Sequence, residues 1–216
     1  IDVWRLNPPS VRYVPNGIDV ARFADREVEP VFPRSATPII GTVAALRREK
    51  NLPRLLDAFR MVRDRTACKL IIGGDGRERP GLEARARALG LAADVVFTGY
   101  RADTERVYAA MDIFALSSDT EQMPTTVLEA MAAGLPIAST DVGDVRAMVA
   151  IQNRHFIVPK SADALATGLL ELIRSAELRG QLGAANQAAV EHNYTQEKMF
   201  ESYEALLLQR NLQTSA

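Results

Sequence analysis

The chain has 216 residues, 47% apolar and 25% charged, a balance that suits one soluble folded unit with a sizeable core and excludes a low-complexity chain. Its net charge of -1, with arginines spread among glutamates, leaves no basic footprint, so no nucleic acid partner is expected. Cys68 is the only cysteine, so no intramolecular disulfide can form, and two histidines give no Cys/His set at metal-ligand spacing.

No apolar run approaches the roughly 20 residues of a membrane span, and Ile1 opens without a leader pattern, so a cytoplasmic chain is expected, with the inner face of the membrane as its other place. The first 37 residues are Pro-rich and irregular apart from an apolar run at Val11–Val14. From residue 38, short apolar runs alternate with helical patterns. Ile39–Val43, Lys69–Ile72, Val95–Phe97, Ile113–Leu116, Pro136–Ala138 and Phe156–Val158 are predicted strands. Their lack of polar interruption suits parallel strands covered on both faces. Leu52–Arg65, Leu82–Leu89, Thr104–Ala110, Thr125–Ala133 and Val145–Val149 are predicted crossover helices, followed by Ala162–Ser175, Glu177–His192 and an amphipathic Gln196–Arg210. The expected fold is α/β, a doubly wound, Rossmann-like parallel sheet of about six strands.

Ligands of such sheets bind beyond the carboxyl ends of the strands. After the strand at Leu116 the chain reads Ser117-Ser118-Asp119-Thr120-Glu121-Gln122-Met123-Pro124-Thr125-Thr126, then a helix that ends at Gly134 and Pro136. Glu121 therefore sits in a loop before a helix start, and Glu129 about one turn inside it. Amides of Thr125 and Thr126 would point into the same crevice and suit a phosphate. Taken alone, both glutamates read more readily as ordinary surface charges than as site residues. Gly41-Thr42-Val43-Ala44-Ala45-Leu46-Arg47-Arg48-Glu49-Lys50 closes the first strand with several cations. Gly73-Gly74-Asp75-Gly76 follows the second strand, but it lacks a third glycine and is not a dinucleotide fingerprint. Gly99 permits close backbone approach, with Tyr100 and Arg101 beside it.

The Glu121-x7-Glu129 spacing, followed by Ala130-Met131-Ala132-Ala133-Gly134-Leu135-Pro136, resembles the acidic signature of the family-4 (group 1) glycosyltransferases of the GT-B fold. Val14-Pro15-Asn16-Gly17-Ile18-Asp19 is similar to the junction between the two domains of that fold. The resemblance implies the C-terminal half of such an enzyme: a junction and remnant of an N-terminal domain over residues 1–37, a nucleotide-sugar-binding domain over 38–195, and a crossover helix with tail over 196–216. A chain opening on Ile1 fits a piece separated from its acceptor-binding domain.

The resemblance also implies site roles. Glu121 meets hydroxyls of the donor sugar near the anomeric centre, and Glu129 holds the ribose. Lys50 holds the diphosphate. Ala45 stands where the family has an arginine, and Arg47 is the candidate to supply that charge. Gly41, Thr42, Gly74, Gly99, Tyr100, Arg101, Met123, Pro124, Thr125 and Thr126 are expected to line the donor site, with the main chain at Arg101 reading the base. Gln122-Met123 replaces the usual Gly-Phe of the sugar pocket. The implied activity is retaining transfer of a sugar from a nucleotide-sugar donor to a glycan or lipid acceptor, without metal or other cofactor, as in polysaccharide assembly. The resemblance implies that the acceptor is reached through the N-terminal domain, with the full-length enzyme expected at the membrane periphery. A GT-B sugar-nucleotide epimerase and a non-catalytic nucleotide-binding domain remain the alternatives.

Overall fold

A computed structural model describes residues 11–25, 27–33 and 36–214, with side chains through residue 208. Six strands, β1 Ile39–Val43, β2 Lys69–Gly73, β3 Val95–Gly99, β4 Ile113–Leu116, β5 Ile137–Thr140 and β6 Ile157–Val158, form one parallel sheet in the order β3-β2-β1-β4-β5-β6. The helices are α1 Val20–Ala24, α2 Leu52–Arg63, α3 Arg79–Ala88, α4 Thr104–Tyr108, α5 Thr125–Ala132, α6 Val145–Met148, α7 Ala162–Arg174, α8 Ala176–Asn193 and α9 Gln196–Thr214. The doubly wound α/β expectation therefore holds.

Alternation along each strand divides the core between the two faces of the sheet. Ile40, Leu70, Ile72 and Ile113 pack with α2, α3 and α7 through Phe59, Leu82 and Leu169. Ile39, Ile71, Phe114 and Ile137 pack with α1, α4, α5 and α8 through Phe23, Tyr108, Leu128 and Val190. Side chains this apolar must be covered on both faces, which explains the near-continuous apolar strands of the sequence.

Several boundaries move for local reasons. The second crossover helix, α3, starts at Arg79 rather than Leu82, because Pro80 is accepted in a first turn. Asn51 takes a left-handed conformation (φ 42°) and caps α2 by accepting from the Arg54 amide. Phe156 belongs to a 3-10 turn over Ile151–Phe156, so the last strand is two residues long. The buried Asn153 replaces a neighbouring strand for Ile137. Its Oδ1 accepts from the Ile137 amide at 2.9 Å and its Nδ2 donates to the Ile137 carbonyl at 2.7 Å. Asn186 from α8, also buried, donates to Asn153 Oδ1 and to the Leu135 carbonyl, and accepts from the Ala150 amide.

Val11–Val14 belongs to no helix or strand, and α1 carries no clear pattern in the sequence. The segment after it is tied to the other end of the chain: Ile18 donates to the Tyr194 carbonyl and accepts from the Gln196 amide. Phe200, Tyr203, Leu207 and Leu208 of α9 are exposed. No helix among the described residues is long and apolar enough to cross a membrane.

Candidate active site

Strand order reverses between β1 and β4, and open α/β sheets bind ligands in the crevice beyond that point. Two loops meet there, one leading from β1 into α2 and the other from β4 into α5. They are fastened to each other by many polar contacts. The Asp119 amide donates to the Glu49 carbonyl at 2.9 Å, Ser117 Oγ donates to the Lys50 carbonyl at 3.0 Å, and Arg54 and Asn51 both hold the Asp119 carboxylate. A carboxylate carrying two such donors has its pKa lowered by them against the opposing effect of burial, which is the largest single influence on Asp119.

Two adjoining cavities open over these loops. A polar cleft of about 750 Å³ is lined by Arg47, Lys50, Glu121, Met123, Pro124 and Thr125, among others. A smaller, mostly apolar slot of about 260 Å³ lies between the ends of β1, β2 and β3, walled by Ala44, Gly74, Tyr100, Arg101 and Val107. Thr126 lines both. Pro124 is the residue before α5, and no side chain among the described residues caps that helix start, so the Thr125 and Thr126 amides face the junction without an internal competitor, while the Val127 amide donates to the Pro124 carbonyl.

Lys50 Nζ and Glu121 Oε1 form an ion pair at 2.6 Å, with side-chain exposures of 24% and 9%. The pair is largely withdrawn from water, so screening weakens it less than a surface pair. Arg47 lines the same cleft without a side-chain partner among the described residues. Glu129 lies one turn beyond Thr125 and Thr126, on the same side of α5. The fully buried Tyr108 hydroxyl donates to Glu129 Oε2 at 2.7 Å. Burial pushes the Glu129 carboxyl up, opposed by the Tyr108 hydrogen bond and by the charge of Arg22. Burial and the same carboxylate hold the Tyr108 phenol well above its ordinary range.

Gly74 has φ 118°, and a side chain there would collide with the Ala44 carbonyl. The turn can therefore close against β1 only as glycine. Tyr100 is 82% exposed, a flat ring standing at the mouth of the slot. Arg101 pairs with Asp103 at 2.6 Å, while its buried Nε has no partner among the described residues. Gly99 and Glu129 line neither cavity, and the same is true of Gly41 and Thr42. Gly41 and Thr42 are buried within β1, and a side chain at Gly41 would enter the space of Met111. The strand must reach its end, at Val43, before a residue meets the crevice.

Other contributors carried no sequence signal. Gly143 (φ 50°) brings the loop before α6 against the Glu121 and Gln122 carbonyls, where any side chain would clash. The Asp144 amide then donates to the Gln122 carbonyl at 2.8 Å. From the amino-terminal segment, Asn16 Nδ2 donates to the Met123 carbonyl at 2.9 Å, the Asn16 amide to Met123 Sδ, and Tyr13 Oη to Asp144 at 2.8 Å. These contacts cross more than a hundred residues, and only the tertiary fold reveals them.

Residues 25–189 match the family described as glycosyl transferases group 1. This chain belongs to that family. The GDP-mannose-dependent alpha-mannosyltransferase of Mycobacterium tuberculosis is 33% identical over 157 residues, covering 70% of this chain and 39% of the relative. The lipopolysaccharide core biosynthesis glycosyltransferase LpsE of Rhizobium meliloti is 26% identical over 171 residues, covering 79% and 49%. The chain thus spans under half the length of these curated relatives. The crystal structure of Anabaena HepE with UDP-glucose superposes with a TM-score of 0.80 at 20% identity, over 94% of this chain and 58% of that one. Sucrose-phosphate synthase from Thermosynechococcus elongatus gives 0.79 at 22% identity, over 95% and 53%. These two likenesses establish the shared fold, the GT-B Rossmann-like sheet anticipated from the Glu121-x7-Glu129 motif.

Proposed function

We propose that this group 1 glycosyltransferase chain is the donor-binding half of a retaining enzyme that moves a sugar from a nucleotide-sugar to a glycan or lipid acceptor. One observation carries the reading: an apolar slot and a polar, cation-bearing cleft adjoin at Thr126, over an uncapped helix start. That sequence of surfaces fits a molecule with a flat base, a diphosphate and a sugar, in that order. The base lies in the slot by Gly74, Tyr100 and Arg101. Glu129, held by Tyr108, takes the ribose hydroxyls. The diphosphate lies at Lys50, Arg47 and the amides of Thr125 and Thr126, and the sugar reaches Glu121 beside Met123 and Pro124.

Breaking the anomeric bond leaves negative charge on the diphosphate, and preorganised donors aimed there lower the barrier. Two cations and a helix start supply that stabilisation without a metal ion. Glu121 has a sugar-binding and electrostatic role, and its contact with Lys50 lets one ligand engage both side chains. The curated relatives support the donor class, one being named for its dependence on GDP-mannose, and so does the neighbour solved with UDP-glucose. Their greater length supports an acceptor site on a further domain, where a lipid acceptor would bring the enzyme to a membrane surface. The epimerase alternative needs acid and base groups at the sugar. His155 instead contacts Glu171, and His192 lies in α8; neither lines a cavity of the site.

The test is calorimetry of the chain with UDP, GDP and ADP and their glucose or mannose conjugates, with chelator present. Binding in about the millimolar range or tighter is expected. Absence of binding by all of them sinks the reading.

A further inference from the structure

Glu121 is held in an asymmetric way. Lys50 Nζ and Ser118 Oγ both donate to the same oxygen, Oε1, each at 2.6 Å. Oε2 has no hydrogen-bond partner among the described residues, and Glu121 lines the polar cleft. The two donors differ in how firmly they are fixed. Lys50 reaches from the rim of the cleft on a long, flexible side chain that is 24% exposed. Ser118 is fully buried, and its carbonyl accepts from the buried Thr140 Oγ1 at 2.7 Å, which ties it to β5. The next residue, Asp119, is held by Asn51 and Arg54 through its carboxylate and by Lys160 through its carbonyl. Ser118 therefore cannot follow a ligand, whereas Lys50 can.

We infer that Ser118 is a positioning residue: its hydroxyl is the permanent anchor of Glu121, and Lys50 is the exchangeable one that turns to the donor diphosphate. This rests on the donor-site reading above. An arriving diphosphate competes with one carboxylate for the Lys50 ammonium. When Lys50 turns away, the Ser118 hydrogen bond alone keeps Oε1 turned inward and Oε2 presented to the sugar hydroxyls. A Glu121 without that anchor would be free to follow Lys50 or to turn into solvent, and the sugar would lose its acceptor. Ser118 touches no part of the donor, so contacts to base and diphosphate are unaffected by it.

The experiment compares affinities for UDP, GDP and ADP with those for UDP-glucose, GDP-mannose and ADP-glucose, in the wild-type chain, Ser118→Ala and Ser118→Cys. Removing one hydrogen bond to a charged group should reduce the preference for the intact sugar nucleotide at least about fivefold in Ser118→Ala, with affinity for the bare diphosphate within about twofold of wild type. Ser118→Cys, nearly the same size but a weak donor, should fall between the two. A Ser118→Ala chain that keeps the wild-type preference, or that loses both ligands to the same extent, overturns the assignment. Thermal melting accompanies each variant; should the alanine chain not fold, the cysteine variant decides, and an unchanged preference in it again overturns the anchor. Failure of the wild-type chain to bind any of the six ligands would instead sink the donor reading itself.

Discussion

Lys50 and Glu121 lie 71 positions apart in sequence and 2.6 Å apart in space, so each sets the charge environment of the other. Lys50→Ala in the full-length enzyme should lower turnover by about two to three orders of magnitude, since a preorganised charge at a leaving group contributes about 3–4 kcal/mol. Steady-state kinetics with saturating donor checks this, and unchanged turnover removes Lys50 from the diphosphate. Arg47→Ala should also slow turnover, and adding Ala45→Arg to it should restore part of the loss; an indifferent Arg47→Ala leaves Lys50 and the helix start as the only donors. Glu129 gives a pH dependence whose sign follows from its burial. Its carboxyl is raised, so on acidification it takes up a proton earlier than an ordinary glutamate and loses its ability to accept from the ribose on both oxygens. Nucleoside diphosphate affinity should begin to fall at a pH above the usual carboxylate range, and Glu129→Gln should flatten that limb in a calorimetric pH series. A limb that persists in the glutamine variant belongs to another group.

Among elements, the loop from β4 to α5 has the most support, and much of it comes from parts of the chain without any motif. Gly143→Ala places a side chain against the Glu121 and Gln122 carbonyls at a φ of 50° that alanine disfavours. The expected result is weaker sugar-nucleotide binding at nearly unchanged melting temperature, because the clash is local to the loop. A variant with wild-type affinity would show that the loop tolerates displacement. The last turn of the sheet depends on Asn153, which pairs with both backbone groups of Ile137 inside the core. Asn153→Ala leaves those groups buried and unpaired, at a cost of about 1–3 kcal/mol each. Urea unfolding should show a markedly lower midpoint, and a loss under about 1 kcal/mol would mean that water replaces the side chain.

For the whole molecule, Cys68 reports on the integrity of the sheet. It is 1% exposed beside Arg63 and Asp94, and burial pushes its thiol up to about 11. A thiol that is both covered and protonated reacts slowly. Alkylation of the native chain at neutral pH should therefore proceed only as fast as the molecule opens, and a nucleotide sugar that binds the folded state should slow it further. Rapid labelling of the native chain would contradict the packing of β2 against α2. The chain alone should bind donor yet transfer no sugar, since its curated relatives are more than twice its matched length. Reproducible acceptor-dependent transfer by these 216 residues would show that the acceptor site lies within them.

Sequence alone determined the sheet, because strands covered on both faces must be apolar throughout, and the runs at Ile39, Lys69, Val95 and Ile113 have that composition. It also pointed to the loops beyond the carboxyl ends of the strands, because ligands of such sheets bind there; Glu121, Glu129 and Lys50 stand out by resemblance to a family motif rather than by local pattern. Gly41 and Thr42 lie inside β1; the motif names a segment and does not say where a strand ends and its loop begins. Only the tertiary structure brought Ser118 and Lys50 onto one oxygen of Glu121, set Gly143 under the loop from β4 to α5, and placed Tyr108 beneath Glu129. Each of these is a contact between residues distant in sequence or a matter of which way a side chain points. Local propensity carries no information about either, because both are decided by how the layers pack.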